Sequence, residues 1–406
     1  MCHDRAYSVA AVLTMAVGLA ATTAVVAVSN AVLLRPLPYP HPDRLYRINA
    51  SNSDPSASQA FALSPIELAR LQQQARTLEQ VEAVSPTEMA LDTVGTPDTL
   101  RVGAASSGFL RMFGLQPSTG RDFTPDEDSR RLPVAILDGG TWAGRFGGDP
   151  NIVGQTIRLD GTPHVVIGVT PAGFRPLLQT VEVWIPLGAK DDPTRQFMRG
   201  LLTAARLAPN RTPAEARAEI LGIQQQIAWD YPQSHGTFKI NFTDLREALY
   251  GSYRPALWIL AAAVLALLLI ACSNVANLTL CRVLDRRGEF ALRVSLGASR
   301  ASIVREQLTE TAIVAGLGGA VGLLLTWWLL PVMLAVYPAA IPIDAQVRID
   351  PRVVLSMMGI VTVSALLAGL VPALRAGRAP AWSALAEASL RNVGSHRERT
   401  VRHLLV

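Results

Sequence analysis

Cysteine is scarce in this chain: Cys2, Cys272 and Cys281 are the only three in 406 residues. None lies between residues 35 and 254, so no disulfide staples that stretch. Lysine is scarcer still, with Lys190 and Lys239 alone among 37 basic residues. Neither follows a glycine, so there is no Gly-rich loop ending in Lys-Ser/Thr to cradle phosphates, and ATP binding by that route is excluded. The six histidines, His3, His41, His164, His235, His396 and His403, are scattered. No HExxH or CxxC spacing occurs, so a zinc site has no ligand set. There is no GxSxG elbow. Asp126, Glu127 and Asp128 read as a solvated acidic turn, and His164 as a partly buried or surface histidine opening a β-like run. No catalytic constellation emerges, and no cofactor or metal site.

What the chain does have is four long uncharged runs: Tyr7–Leu34, Pro255–Cys281, Thr311–Ile343 and Val353–Leu374. About 20 apolar residues cross the hydrocarbon core of a bilayer, so each is a transmembrane candidate. A composition 50% hydrophobic and 17% charged is too apolar for a soluble protein and too polar for a helix bundle alone. The expected layout is four transmembrane helices, 7–34, 255–281, 311–333 and 353–374, joined by a polar domain at 35–254, a charged loop at 282–310, a short loop at 334–352 and a tail at 375–406. The isoelectric point near 9.4 invites a nucleic-acid reading, but the positive excess is local. Loop 282–310 carries six Arg against four acids, the tail six Arg against two, and the domain 22 basic against 23 acidic residues. Basic loops mark the cytoplasmic face, which places both termini and loop 282–310 inside, the large domain outside, and no nucleic acid among the partners. The first run is too long for a signal-peptide core, and Arg35-Pro36-Leu37-Pro38 is a poor cleavage site, so it reads as an uncleaved span.

The outer domain reads as mixed α/β. Ser64-Pro65-Ile66-Glu67 is a capping box with Pro at the first helical position, followed by an apolar stripe of Leu68, Leu71, Ala75 and Leu78. Thr212-Pro213-Ala214-Glu215 repeats the device before Ala216, Ile220, Ile223 and Ile227, and Pro232 closes that helix. Between them come β-rich runs at Pro133–Leu137, Thr156–Leu159, His164–Val169 and Val181–Ile185, with Asp160-Gly161 as a type I′ hairpin turn. The pattern predicts one α/β lobe built from two distant segments, with a β-rich insertion over roughly Leu115–Leu187.

Loop 282–310 carries the most information in the fewest residues. Arg282–Leu296 has helical spacing, with Glu289 and Arg293 as an i,i+4 pair. Gly297 is a natural helix end, and Ser299 can cap the next helix, which runs through Ile303, Gln307 and Glu310 into the third span. A docking element for a soluble partner and a plain chain-reversing connector fit equally well. Inside the spans, Gly318 and Gly322 form a GxxxG pair that serves either a dimer seam or packing within one subunit. Asn274 and Asn277 read as interhelical hydrogen-bonding residues, and Cys272 and Cys281 as small apolar filler. No ionisable residue lies at mid-span, which argues against a proton- or ion-coupled carrier.

Ala271-Cys272-Ser273-Asn274-Val275-Ala276-Asn277-Leu278, followed by Arg286-Arg287-Gly288-Glu289-Phe290-Ala291-Leu292-Arg293-Val294-Ser295-Leu296-Gly297-Ala298-Ser299, resembles the permease core of MacB/FtsX-type ABC transporters. Asn30–Pro40 resembles the exit of the first span in such permeases, and Phe146-Gly147-Gly148-Asp149-Pro150, Val153-Gly154 and Val166–Val169 resemble their periplasmic domain. The resemblance implies an inner-membrane subunit with a MacB-like periplasmic core domain and an FtsX-like permease domain at about 255–380. It implies no catalysis by this chain and no cofactor of its own, ATP being used by a separate cytoplasmic ABC ATPase. It further implies pairing as a homodimer or with a second permease half, and a periplasmic adaptor. Arg286, Glu289, Arg293, Gly297 and Ser299 would form the coupling segment in the ATPase groove, and ATP-driven motion would pass outward to drive export. A regulatory role, switching a periplasmic enzyme, is the alternative within the family; a membrane-anchored binding protein with no ATPase is the alternative outside it. The start almost at the first span, the end at Val406 and Ala379 before Pro380, where relatives often place Asp, imply a half-length or truncated member of the tandem permeases.

Overall fold

The computed structural model describes residues 2–30, 36–52, 60–92, 98–175, 177, 180–188, 196–336 and 351–377. The end of the first expected span at 31–34, Lys190, most of loop 334–352, Ala379-Pro380 and the tail from 378 lie outside the described residues. The chain forms two compact units, Pro36–Ser252 and the combination of Met1–Arg35 with Tyr253–Val406.

The unit Pro36–Ser252 is built on one mixed sheet. Among the described residues its strands are β1 (Leu45–Asn52), β2 (Ala60–Phe61), β3 (Leu78–Leu91), β4 (Asp98–Ala105), β5 (Thr119–Gly120), β6 (Val134–Asp138), β7 (Thr156–Leu159), β8 (Thr162–Thr170), β9 (Val183–Pro186), β10 (Leu202–Leu207) and β11 (Phe238–Asp244). Four of them, in the order β11-β1-β10-β3 and all antiparallel, form a ferredoxin-like split β-α-β pair. The two crossover helices are Pro65–Gln74 and Pro213–Asp230. Both begin on complete capping boxes, at Ser64/Glu67 and Thr212/Glu215, which satisfy otherwise orphaned helix N–H groups. Their apolar faces, Leu68 and Leu71 on one and Ala216, Ile220, Ile223 and Ile227 on the other, share a core with Val81, Ala83, Ala205, Leu207 and Phe242 of the sheet.

Three sequence expectations need correction here. The first helix ends at Gln74, and Leu78 is the first residue of β3 rather than the last of a helical stripe. The inserted strands begin at Asp98 instead of near Leu115, because β3 is 14 residues long and serves two neighbours. Its first half, Leu78–Val84, pairs with β10, and its second half, Val84–Leu91, pairs with β4. From there the sheet continues β4-β9-β6-β8-β5. The β7–β8 hairpin turns on Asp160 and Gly161, both at positive φ (46° and 75°), as a type I′ turn requires. The acidic run 126–128 is not a solvated turn. Thr124 caps a short helix, Pro125–Ser129, with a third capping box, and Glu127 is buried. Asp128 accepts the amides of Ser107 and Gly188 at 2.9 and 3.1 Å.

The other unit holds four helices long and apolar enough to cross a membrane. These are, in chain order, Cys2–Ser29, Arg254–Asp285, Arg300–Val336 and Pro351–Gly377. We refer to the first as span helix one and to the others as span helices two, three and four. Gly318 and Gly322 of span helix three pack on span helix one. A Cβ at Gly318 would lie 2.8 Å from Met15 Cβ, and one at Gly322 3.0 Å from the Ala16 carbonyl oxygen. The hydroxyl of Thr326 donates to the Ala20 carbonyl at 3.1 Å. Of the two uses of the GxxxG pair left open by the sequence, the structure shows packing within one chain. Met15, Leu19, Leu268, Cys272, Val275, Val314, Ala315 and Ala368 form the bundle core.

Candidate docking site in the inter-span loop

The segment joining span helices two and three folds as a braced helical hairpin. Span helix two runs on to Asp285, and a turn at Arg286 leads into a short helix, Arg287–Ser295. The helical spacing from Arg282 therefore belongs to two helices, and span helix three starts at Arg300, well before the apolar run at Thr311. The short helix stops on a Schellman motif. Ala298 N–H donates to the Arg293 carbonyl and Gly297 N–H to that of Val294, both at 3.0 Å, with Gly297 at φ 95°, a conformation that favours glycine. Ser299 Oγ accepts the Ser302 amide at 3.2 Å and starts span helix three.

Arg286, Glu289 and Arg293 come together, and their charges are spent inside the hairpin. Arg286 Nε donates to Glu289 at 2.9 Å, and Arg293 donates both to Glu289 and, at 2.9 Å, to Glu306 of span helix three. Arg282 pairs with Glu310. The Arg286 guanidinium holds the Glu289 carboxyl below the usual carboxylate range, so both ends of the brace stay charged. Beneath the ion pairs Val283, Phe290 and Ile303 form a small buried core, with Val294 against it.

What this brace presents outward was not legible as a site in the sequence. Gly288, Leu292, Ser295 and Leu296 are exposed at i, i+4, i+7 and i+8, one face of the short helix. Leu292 is 58% and Leu296 81% exposed. Two large apolar side chains stand clear on a tip otherwise rich in charge. The signal is present in the sequence as leucines spaced one turn apart, set among arginines whose partners lie on the next helix. Asn274 and Asn277 are exposed on the outer face of span helix two, away from the bundle core.

A second polar cluster, in the unit Pro36–Ser252, went unrecognised because its members are far apart in sequence. Arg199 donates two bonds to Glu67, at 2.8 and 2.9 Å, and its guanidinium lies 3.8 Å from the centroid of Phe238. Glu67 also accepts the Ser64 amide at 2.8 Å and the Ser64 hydroxyl at 3.0 Å. His235 Nε2 lies 3.0 Å from Ser64 Oγ, and Ser234 Oγ 2.8 Å from His235 Nδ1. Burial holds His235 below the ordinary histidine range. The contact looks like a nucleophile–base pair, but Ser64 is 0% and His235 2% exposed, so no substrate reaches it. Its role is to rivet helix Pro65–Gln74 to the 196–201 and 232–235 segments. His164 is likewise buried, with Nδ1 3.0 Å from the Thr162 carbonyl oxygen. Among the described residues no group of three or more His, Cys, Asp or Glu is placed to hold a metal.

Comparisons with known proteins match both units. Residues 8–223 match the family model of the MacB-like periplasmic core domain, and residues 261–381 that of the FtsX-like permease C-terminal region. The chain is 27% identical over 270 residues to the macrolide export ATP-binding/permease protein MacB of Burkholderia thailandensis, covering 62% of this chain and 40% of that protein. It is 24% identical over 286 residues to the probable syringafactin export ATP-binding/permease protein SyfD of Pseudomonas syringae pv. tomato, covering 68% of this chain and 41% of that one. The chain thus spans about 40% of the length of these curated relatives. Among solved structures, the periplasmic region of MacB from Actinobacillus actinomycetemcomitans aligns over 55% of this chain and 96% of that one, at 15% identity and a TM-score of 0.41.

Proposed function

Since this chain belongs to the MacB/FtsX-type permease family, we propose that it is the permease subunit of an ABC transporter that docks on a separate cytoplasmic ATPase through the helix Arg287–Ser295. The observation that carries the reading is the exposed Leu292/Leu296 face on a rigid mount. An amphipathic helix with two uncovered apolar side chains one turn apart fits a groove in a partner protein. The arginine excess of loop 282–310 supports a cytoplasmic side for that face, with the unit Pro36–Ser252 outside.

The mount explains how a push would travel. The Arg282–Glu310 and Arg293–Glu306 pairs and the Val283–Phe290–Ile303 core tie the short helix to both flanking span helices. Span helix three is in turn locked to span helix one at Gly318 and Gly322. Span helices one and two lead along the chain into β1 and out of β11, which are paired neighbours, Tyr46 opposite Asp244. In this reading the two chain connections are the route by which displacement of the short helix would pass to the outer unit. A second permease half completes the assembly, and a periplasmic adaptor is the outer partner this reading accommodates. The cargo would be driven from the outer side, not threaded through four helices. The two relatives named above carry different cargo names, so none is transferred to this chain.

The test is ATP hydrolysis that co-purifies with the tagged chain from its native membrane. Leu292→Asp with Leu296→Asp should abolish it, while Leu355→Asp, on exposed apolar surface of span helix four, serves as a folding control. Retained hydrolysis in the Leu292/Leu296 variant would refute the docking face.

A further inference from the structure

The chain that follows span helix one enters the unit Pro36–Ser252 as Pro36-Leu37-Pro38-Tyr39-Pro40, with proline at every second position. Proline fixes φ, so such a run is a stiff spacer rather than a loose tether. Exposure alternates along it. Leu37 and Tyr39 are 6% and 8% exposed, and the three prolines are exposed. This strap is therefore seated, and its partners come from both parts of the sheet. On the side of the inserted part, the Tyr39 ring meets Phe113 and Phe174 edge-on, with centroids 4.9 and 6.5 Å apart. The Pro40 ring fills the place of a side chain at Gly114, where a Cβ would lie 2.6 Å from Pro40 Cγ. On the side of the four-stranded part, Arg206 of β10 is buried and donates to the Pro40 carbonyl at 2.7 Å and also to the Met112 carbonyl. One guanidinium thus bonds the strap and the inserted part at once, and the strap is wedged in the seam between the two parts.

The same seam holds a cleft of about 330 Å3, walled by Ala69 and Glu82 on the four-stranded side and by Ser106, Ser107 and Ser129 on the inserted side. One turn of helix, Phe109–Met112, joins strap to cleft. Just before it, Ser106 and Ser107 line the cleft, and the Ser106 hydroxyl donates to Glu82. At its end, Met112 and Gly114 hold the strap. The turn is fixed in place: Phe109, Leu110 and Met112 are buried, and Phe109 packs on Phe113 and Trp184 at 5.0 and 6.0 Å between centroids. The strand common to both parts is β3, whose pairing passes from β10 to β4 at Val84. We infer that the strap is a lever on this cleft. Displacement of Pro36–Pro40 passes through Phe109–Met112 and turns the inserted part about Val84, so the cleft changes width. Closely packed side chains such as Tyr39, Phe113, Phe109 and Trp184 shift together rather than deform. Coupling of this kind is reciprocal, so whatever fixes the cleft also steadies the strap. The inference rests on the proposed reading for the source of the displacement and adds where the outer sheet receives it.

Reciprocity gives a test that needs no ATPase. In the full chain in detergent, with Cys2, Cys272 and Cys281 replaced by alanine, Ala69→Cys and Ser129→Cys are joined across the cleft by a thiol-to-thiol linker. Hydrogen exchange is then followed at Leu37, Tyr39 and His41, which carry the amides of the strap, since proline has none. Exchange there should slow several-fold once the cleft is linked. A linker between Arg70→Cys and Asp230→Cys, whose native side chains bond at 2.7 Å within the four-stranded part, should leave it unchanged. In the other direction, Tyr39→Ala should shift the distance between spin labels at 69 and 129 and leave that between labels at 70 and 230 as it was, which general unfolding would not do. Unchanged strap exchange on linking the cleft, equal slowing from the control linker, or a fixed 69–129 distance in Tyr39→Ala would overturn the inference. Loss of this coupling with co-purifying ATP hydrolysis intact would sink the lever alone, and the converse would sink the docking face alone.

Discussion

Glu67→Gln should cost the unit Pro36–Ser252 about 3–5 kcal/mol, the range for breaking one side of a buried ion pair. The geometry sets that size. The carboxylate takes two bonds from Arg199 and two from Ser64, and the side chains are 2% and 12% exposed. Glutamine keeps the shape and one acceptor, so the Ser64 amide stays satisfied, but its NH2 now faces the guanidinium donor to donor. Arg199 is left charged and mostly out of water, with one of its two bonds to residue 67 lost and only the retained amide oxygen, a long bond to the Ala62 carbonyl at 3.4 Å and the Phe238 ring against it, the ring contact being worth about 0.5–2 kcal/mol. Residues 36–252 pack around a core of their own, so urea unfolding of that segment reads the effect. With a slope of about 2–3 kcal/mol per molar for a domain of this size, the midpoint should fall by about 1–2.5 M. Adding Arg199→Met to Glu67→Gln removes the stranded charge, and the double variant should be more stable than Glu67→Gln by at least about 1 kcal/mol. A loss below about 1 kcal/mol for Glu67→Gln, or two losses that simply add, would refute the account of the cluster as a buried ion pair holding three segments together.

Two further outcomes follow from the same physics. His235 has its pKa lowered by burial, so between that value and about 6.5 the unfolded chain binds the extra proton and the folded one does not. Stability of residues 36–252 should fall as pH drops below about 6.5, at up to about 1.4 kcal/mol per pH unit, and His235→Gln should flatten urea midpoints measured from pH 8 to 5. In the membrane unit, Gly322→Leu drives a side chain into the Ala16 carbonyl and should cost about 1–3 kcal/mol. Gly316→Leu, where a Cβ meets nothing within 4 Å, should be near neutral by thermal melting in detergent.

The parts of this molecule written in local code were legible and the parts written in distant contacts were not. Capping boxes at Ser64 and Thr212 and the Asp160-Gly161 turn announce themselves within a few residues and form where the sequence places them, and the described part of each of the four apolar runs is helical. Glu127 escaped because its sequence neighbours are acidic, whereas what fixes it is Arg121, whose two bonds hold its pKa at about 2. Leu78 was drawn into a helix because helical and strand periods agree at a single residue, and only pairing with Leu207 decides between them. The inter-span loop combines both situations. Its residue types were evident, but which charges are consumed internally depends on Glu306 and Glu310, contributed by the next helix. Once those acids are counted, the arginines become the brace and the leucines become the surface. Removing what the chain satisfies by itself leaves two exposed leucines on one tip, and it is this remainder, not the residue types, that separates a surface from a brace.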